Sequence, residues 1–167
     1  LRGCPSLRWP GRWSPSFNFG TDSRKKLRFQ VSSWSSFSDD GNSKYLSYQA
    51  GLSYTPSGAV SISVMPSYDV NKQELQYVET GSLENEDRYI FGRIDQKTLA
   101  VTLRFNISLT PDLSIQFYGQ PFVSAGHYTE FKHITDSRAQ NYRDRYHMFM
   151  DEEISFDADT GVYNIDE

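Results

Sequence analysis

Apolar and polar residues alternate along Leu99–Leu109. Every odd position carries a large apolar side chain, and every even position carries a small or polar one, including Arg104 and Asn106. Because successive side chains of a strand point to opposite faces, this pattern predicts a strand with one apolar and one polar face. The apolar face could lie in lipid or in the core of a soluble protein.

The same alternation recurs along the chain and predicts an all-β fold, an antiparallel up-and-down meander. Thr55–Gly58 and 110–112 have the Pro, Gly and Asp residues of tight turns. We predict a turn at Ile94–Lys97 as well, although this segment could be the middle of one very long strand. Pro66 implies a sheet edge, a strand end or a bulge. The predicted strands are 17–20, 26–34, 45–54, 59–68, 74–80, 88–94, 99–109 and 113–122.

Connection lengths and strand lengths favour an outer-membrane barrel. The short turns alternate with long polar connections at 35–44 and after Val123, as in such barrels. Leu99–Leu109 has the 9 to 11 residues or so that a tilted strand needs to cross hydrocarbon. A soluble β-sandwich has similar alternation, so the pattern leaves both architectures open. Aromatic residues near predicted strand ends suit interfacial girdles: Trp34, Tyr45, Tyr54, Tyr68 and Phe122.

The composition of the 167 residues fits one domain, 1–167, with strands roughly within 16–122 and a polar loop or tail at 123–167. The net charge of −4 gives no reason to expect nucleic acid, and Arg24-Lys25-Lys26 suits a solvated turn. No run of 18 apolar residues predicts a transmembrane helix. The first residue is Leu1, which suggests a fragment or a processed segment.

Few residues are candidates for chemistry. Cys4 lacks a nearby Cys or His and fits a turn at Gly3-Cys4-Pro5. His127, His133 and His147 do not have the spacing of paired metal ligands. Asp157-Ala158-Asp159-Thr160-Gly161 (157–161) resembles the start of a calcium loop, but the bidentate Glu of that motif would fall beyond Glu167.

Two acidic segments have simpler interpretations. Asp39-Asp40-Gly41-Asn42 suits a turn, and Asp151-Glu152-Glu153 suits a solvated face, because no cleft for paired carboxylates is evident. We therefore assign no catalytic, cofactor-binding or metal residue, and no enzyme activity, to this chain. A hydrolase would need a convergent acid and base.

Several sequence blocks resemble the C-terminal barrel of the domain-of-unknown-function family 5916. They include Leu1–Arg8, Thr21–Lys26, Leu75–Val78 and Phe91–Leu99, followed by Leu113–Phe122. The resemblance runs from Leu1 to about Tyr146. It implies a membrane-associated β-barrel of the Gram-negative envelope, preceded by a family 9-like carbohydrate-binding module. It implies no catalytic motif, and Cys4 stands where the family usually has Gly.

We therefore expect a segment of an outer-membrane β-barrel that serves in anchoring or transport in a glycan-related envelope system. A soluble β-sandwich that binds carbohydrate is the alternative. The expected partners are outer-membrane lipid and, through the upstream module, a glycan. About eight strands would close only a narrow barrel filled with side chains. The chain ends at Ile165-Asp166-Glu167 rather than at an aromatic residue, so the resemblance implies a further closing strand. In the barrel, Thr102, Arg104 and Asn106 would point inward, and the odd residues from Leu99 to Leu109 would face lipid.

Overall fold

The fold is all-β. The structure, a computed structural model, describes residues 9–83, 86–157 and 162–165. Besides strands, these residues contain one 3-10 helix, Tyr142–Arg145. The strands in chain order are β1 Arg12–Trp13, β2 Ser16–Gly20, β3 Leu27–Ser38, β4 Lys44–Ser57, β5 Val60–Leu83, β6 Glu86–Thr110, β7 Leu113–Gly119, β8 Phe122–Ile134, β9 Tyr146–Met148, β10 Ile154–Asp157 and β11 Val162–Ile165.

Nine of these strands form one antiparallel sheet with a largely up-and-down order. The hydrogen-bonded order is β1-β3-β4-β5-β6-β8-β9, with β2 paired to β3 and β7 paired to β6. Strands β10 and β11 form a separate antiparallel pair. The prediction of an all-β antiparallel meander is confirmed.

The residues separate into two compact units. The open unit comprises 11–73 and 95–127, and the core unit comprises the described residues within 9–10, 74–94 and 128–165. Of the described apolar residues that are buried, all but Ala100 belong to the core unit. They are Leu75, Ile90, Phe91, Ile94 and Phe149.

Short polar segments end the strands of the open unit. The Asp22 carboxylate accepts the backbone N–H of Arg24 at 3.0 Å, which fixes the turn before β3. Between β3 and β4, the Asp40 carboxylate accepts the N–H of Asn42, and Gly41 adopts a φ of 74° that favours glycine. Asp39 and Asp40 therefore belong to a turn, as the sequence predicts.

The strands run further than the sequence pattern indicates. β3 continues through Ser35–Ser38, and β6 runs without a break through Ile94–Lys97, so the prediction of a turn there is wrong. Within this segment Ile94 is buried, and the Asp95 carboxylate pairs with Lys72 on β5, whose Nζ lies 3.1 Å from Asp95 Oδ1. Since ladder hydrogen bonds join backbone groups, polar side chains do not interrupt a strand.

The polar segment after Val123 also differs from the expectation of a loop or tail. It contains most of β8 and all of β9–β11. β7 and β8 both pair with β6 and are separated by a break at Gln120-Pro121. At this break the Val101 N–H donates to the Pro121 carbonyl at 3.0 Å. Polar side chains obscure the alternation here, whereas the backbone pairing continues.

Pro66 lies inside β5, which has neighbours on both sides. Gln49 on β4 pairs with Ser67 on β5, and the next pair in the register is Leu52 with Val64, so Pro66 lies in the interval between two paired positions. A proline has no N–H for the ladder, which fits its place in this interval. The expected sheet edge or strand end is therefore not where this proline lies.

Candidate functional site

One face of the open unit is lined by large apolar side chains. Residues opposite each other in a register share a face of the sheet. Leu52 lies opposite both Phe29 on β3 and Val64 on β5, and Phe19 lies opposite Val31. On the other side of the unit, Phe105 lies opposite Phe117 and Ile107 opposite Ile115. We call this surface the apolar face.

The ion pair between Lys72 and Asp95 connects these two sets of strands. It shows that even positions of β5 and odd positions of β6 share a face. Ile62 and Val64 therefore lie on the same face as Leu99, Phe105 and Ile107. The apolar face is thus shared by β2 to β7.

The apolar face is exposed. Leu99 is 55% exposed and Phe117 is 57% exposed, and other members are comparably open. They include Phe17, Phe19, Leu27, Phe29, Leu52, Tyr54, Ile62, Val64, Leu109, Leu113 and Ile115. Contiguous apolar surface of this kind marks a contact with a protein, a ligand or a membrane.

The opposite face of the open unit, here called the polar face, carries mainly small and polar side chains, together with a few aromatic ones. Ser36, Gly51, Ala100 and Thr102 are buried on it. A Cβ on Gly51 would lie 2.7 Å from Gln30 Cγ, so glycine allows the Gln30 side chain to lie across β4. The polar face also carries Arg104, whose guanidinium lies 5.2 Å from the centre of the Tyr118 ring.

Only part of the predicted aromatic girdle lies on the apolar face. Tyr54 and Tyr68 do lie there, opposite Leu27 and Tyr48. Trp34 lies opposite Ser47 and contacts the Tyr45 ring at 5.2 Å, which places both on the polar face. Phe122 is two residues from Ser124, whose hydroxyl bonds Gln96 and Thr98 on the polar face. The girdle prediction is therefore wrong for Trp34, Tyr45 and Phe122, because their positions near predicted strand ends do not specify a face.

The core unit contains a buried ion pair. Lys132 is 1% exposed, and its Nζ donates to Glu74 Oε1 at 3.1 Å. The ammonium also lies 5.8 Å from the centre of the Tyr146 ring. Burying a charged pair costs desolvation, which the pairing only partly offsets, so the two charges depend on each other.

Two histidines are brought together elsewhere in the core unit. The rings of His133 and His147 lie 5.2 Å apart, and both contact Phe149. Arg88 Nη1 lies 3.1 Å from His133 Nε2. β9 places His147 opposite His133, which explains why the sequence separation did not reveal the contact.

Glu153 stabilises the turn that follows β9. Its carboxylate accepts the Met150 N–H at 2.7 Å and lies 3.1 Å from His147 Nε2. The backbone hydrogen bond from Met150, followed by the interaction with His147, holds the pKa of Glu153 below its ordinary value. Of the acidic run 151–153, Glu153 thus has a structural role that a solvated face would not require.

The remaining candidates from the sequence are His127, Cys4 and the acidic segment 157–161. His127 belongs to the open unit, whereas His133 and His147 belong to the core unit. Cys4 and residues 158–161 of the acidic 157–161 segment lie outside the described residues. Within the residues that the structure describes, no group of three or more His, Cys, Asp or Glu side chains is placed to hold a metal ion. The same residues contain no helix long and apolar enough to cross a membrane.

Sequence reasoning missed the Glu74–Lys132 pair. The two residues are 58 positions apart and no motif joins them. Glu74 lies on β5 and Lys132 on β8, with β6 between them in the sheet order, so a rule for charges on adjacent strands would not have found the pair either.

The fold and these surfaces define an all-β protein with a long-stranded antiparallel sheet, one face of which is apolar and exposed. Comparison with protein families gives a specific match. The chain belongs to the family Domain of unknown function (DUF5916), whose model matches residues 5–166, and this confirms the resemblance seen in the sequence. Comparisons with curated proteins and with solved structures give no match.

Proposed function

We propose that this chain is part of an outer-membrane β-barrel, in which the apolar face of the open unit contacts lipid. The observation that carries the proposal is the distribution of burial. The large apolar side chains on the apolar face are exposed. The side chains that are buried on the polar face, such as Ala100 and Thr102, are small. A water-soluble protein normally has the opposite distribution.

The strand lengths support the same proposal. β3 has 12 residues and β4 has 14, and a tilted strand needs about 9 to 11 to cross the hydrocarbon. The polar face, with Arg104 and the Asn106↔Gln116 pair, would line the interior. The core unit, with its ion pairs, suits a position outside the hydrocarbon, where charges are expensive.

The proposed role is anchoring or transport in an envelope system that handles glycans. The soluble β-sandwich that binds carbohydrate is the competing hypothesis. It requires a second sheet over the apolar face. The exposure of Leu99, Phe117 and their neighbours weighs against that arrangement.

Fractionation of cells that make the native protein tests the proposal. We expect the protein in the outer-membrane fraction, with a gel mobility that changes on boiling, since closed barrels resist detergent until heated. Extraction with carbonate buffer separates an inserted protein from one that only adheres. Recovery in the soluble fraction with no heat-dependent shift would contradict the proposal.

Arginine substitutions on adjacent positions of β7 test which face contacts lipid. Ile115 is half exposed on the apolar face, and Ser114 lies opposite Ser108 on the polar face. Ile115→Arg should lower the free energy of unfolding from lipid, and so destabilise the protein, by about 2 to 4 kcal/mol near the bilayer centre and by about 0 to 1 kcal/mol near its boundary. Ser114→Arg is the control at the same depth.

The measurement is urea unfolding of the reconstituted variants. We expect Ser114→Arg to stay close to the unsubstituted protein. Equal losses of stability for the two variants, or a larger loss for Ser114→Arg, would contradict the proposal that the apolar face contacts lipid. Thr102 would be a poor control position on the polar face, because it is only 8% exposed and cannot accommodate a large side chain.

A further inference from the structure

The apolar face ends in a row of basic residues that crosses four neighbouring strands. Along β4 the face changes from Leu46 to Lys44, and along β5 it changes from Val70 to Lys72. The same change occurs on β6 from Leu99 to Lys97 and on β8 from Ala125 to His127. Lys44, Lys72, Lys97 and His127 form what we call the basic row.

The register makes the basic row unusual. Lys44 lies directly opposite Lys72, so two like charges share a face across adjacent strands. Such a pair destabilises a sheet unless something of opposite charge lies near it. Asp95 lies 3.1 Å from Lys72 Nζ and neutralises one charge. Lys97 forms no ion pair with any other described residue.

A cleft opens beside the basic row. It has a volume of about 420 Å³ and is lined by Val70, Lys72, Asp95, Gln96, Lys97 and His127, together with two small residues, Ala125 and Gly126. The small residues leave the space that a larger side chain on β8 would fill. The cleft therefore combines an apolar wall, continuous with the apolar face, with cationic groups at one end.

We propose that this cleft binds the phosphate of an anionic lipid headgroup, with the acyl chains lying along Val70 and the apolar face. The inference rests on the proposed function, since it requires the apolar face to contact lipid. The basic row lies where that face ends, which is where headgroup phosphates lie in a bilayer. Lys97 supplies the positive charge that Asp95 does not neutralise, Lys72 supplies an ammonium shared with Asp95, and His127 supplies a ring nitrogen that can donate a hydrogen bond.

The full chain, purified in detergent and transferred to nanodiscs, tests the inference. The discs contain phosphatidylcholine with a minor fraction of phosphatidylglycerol, and native mass spectrometry counts the lipids that stay bound. We expect bound phosphatidylglycerol to exceed its fraction in the disc. Lys97→Gln should reduce this preference about fivefold, because one basic residue near an anionic surface contributes about that much to binding. Lys97→Arg should restore it.

Asp95→Asn distinguishes binding from a merely structural role. Removing this carboxylate frees Lys72 and takes away a charge that repels phosphate, so we expect the preference for phosphatidylglycerol to rise. Lys25→Gln, in the exposed turn before β3, is the matched control and should leave the preference unchanged. An equal loss in Lys25→Gln would indicate general attraction to anionic lipid and overturn the site.

Inorganic phosphate separates the two sources of the same chemistry. At millimolar concentration it should displace little phosphatidylglycerol, because it lacks acyl chains. If inorganic phosphate displaces phosphatidylglycerol at an equal concentration, the inference that the ligand is a lipid is overturned. Absence of any lipid preference in a protein that still inserts and shows the heat-dependent shift overturns this inference alone, whereas failure to insert overturns the proposed function.

Discussion

At the scale of single residues, the buried pair of Lys132 and Glu74 is the most demanding feature of the core unit. Lys132 is almost completely buried, so its ammonium has no water to replace a lost carboxylate. The Tyr146 ring provides some stabilisation but not a full charge. Loss of the Glu74 carboxylate would therefore leave the buried ammonium of Lys132 without its ion-pair partner.

Removal of one partner should be costly. Glu74→Gln is expected to lower the free energy of unfolding by about 3 to 5 kcal/mol, because it leaves the Lys132 charge buried without its counter-ion. Urea unfolding followed by tryptophan fluorescence measures the loss. The double variant Glu74→Gln, Lys132→Met removes both charges and should recover most of it. If the double variant is less stable than the single one, the pair is not the source of the effect.

Residue patterns predicted the two faces of the open unit but not the pairs of the core unit. The alternation from Leu99 to Leu109 specifies a face directly, because the period of a strand is two. Glu74 and Lys132 are far apart in sequence and meet only because of how the strands are placed. A contact between distant residues depends on topology, which the local pattern does not contain.

At the scale of elements, the segment from β9 to Glu153 is held by a small set of polar contacts. Glu153 accepts the Met150 N–H and contacts His147, whose ring in turn packs on His133 and Phe149. The contacts connect a three-residue strand to the turn that follows it. Such a short strand has few ladder hydrogen bonds, so these side chains matter for its order.

This segment should become less protected in acid. A carboxylate whose pKa is lowered by folding stabilises the folded segment above its ordinary value of 4.5, and the contribution is lost as the pH falls through the lowered value. Hydrogen exchange of the Met150 amide between about pH 6 and pH 3 measures this. Glu153→Gln should show weak protection and little further change with pH. Unchanged protection of the native segment across this range would contradict the assignment.

Element boundaries were the least predictable part of the fold. Ser35–Ser38 and Ile94–Lys97 have the composition of loops, yet both lie in strands. Their backbones pair with neighbouring strands, and ladder bonds are made regardless of side-chain polarity. The sequence pattern detects how side chains are partitioned, so it marks a strand only where the two faces differ.

At the scale of the whole molecule, opposite faces of the sheet should meet different surroundings. Phe29 lies on the apolar face and Trp34 on the polar face, five residues further along the same strand, β3. If the apolar face contacts lipid, a tryptophan at position 29 lies in hydrocarbon. Trp34 would then remain in the interior of the barrel.

Quenching by brominated lipid measures this difference. Two single-tryptophan proteins are needed, both with Trp9→Phe and Trp13→Phe. One keeps Trp34, and the other carries Phe29→Trp and Trp34→Phe. We expect strong quenching at position 29 and weak quenching at position 34, with bromine placed at several depths to allow for the different heights. Equal quenching at every depth would contradict a sheet with one lipid-facing side.

The order of strands in the sheet bears on how the chain acquires its structure. From β3 to β6, each strand pairs with the next one in sequence, and β5 and β6 are consecutive strands of 24 and 25 residues. Closing the connection between neighbours in sequence costs little entropy, so pairing can proceed one strand at a time. The long β5–β6 pair offers a template onto which β4 and β7 can add from opposite sides. Assembly would then spread outward from the middle of the chain rather than begin at either terminus.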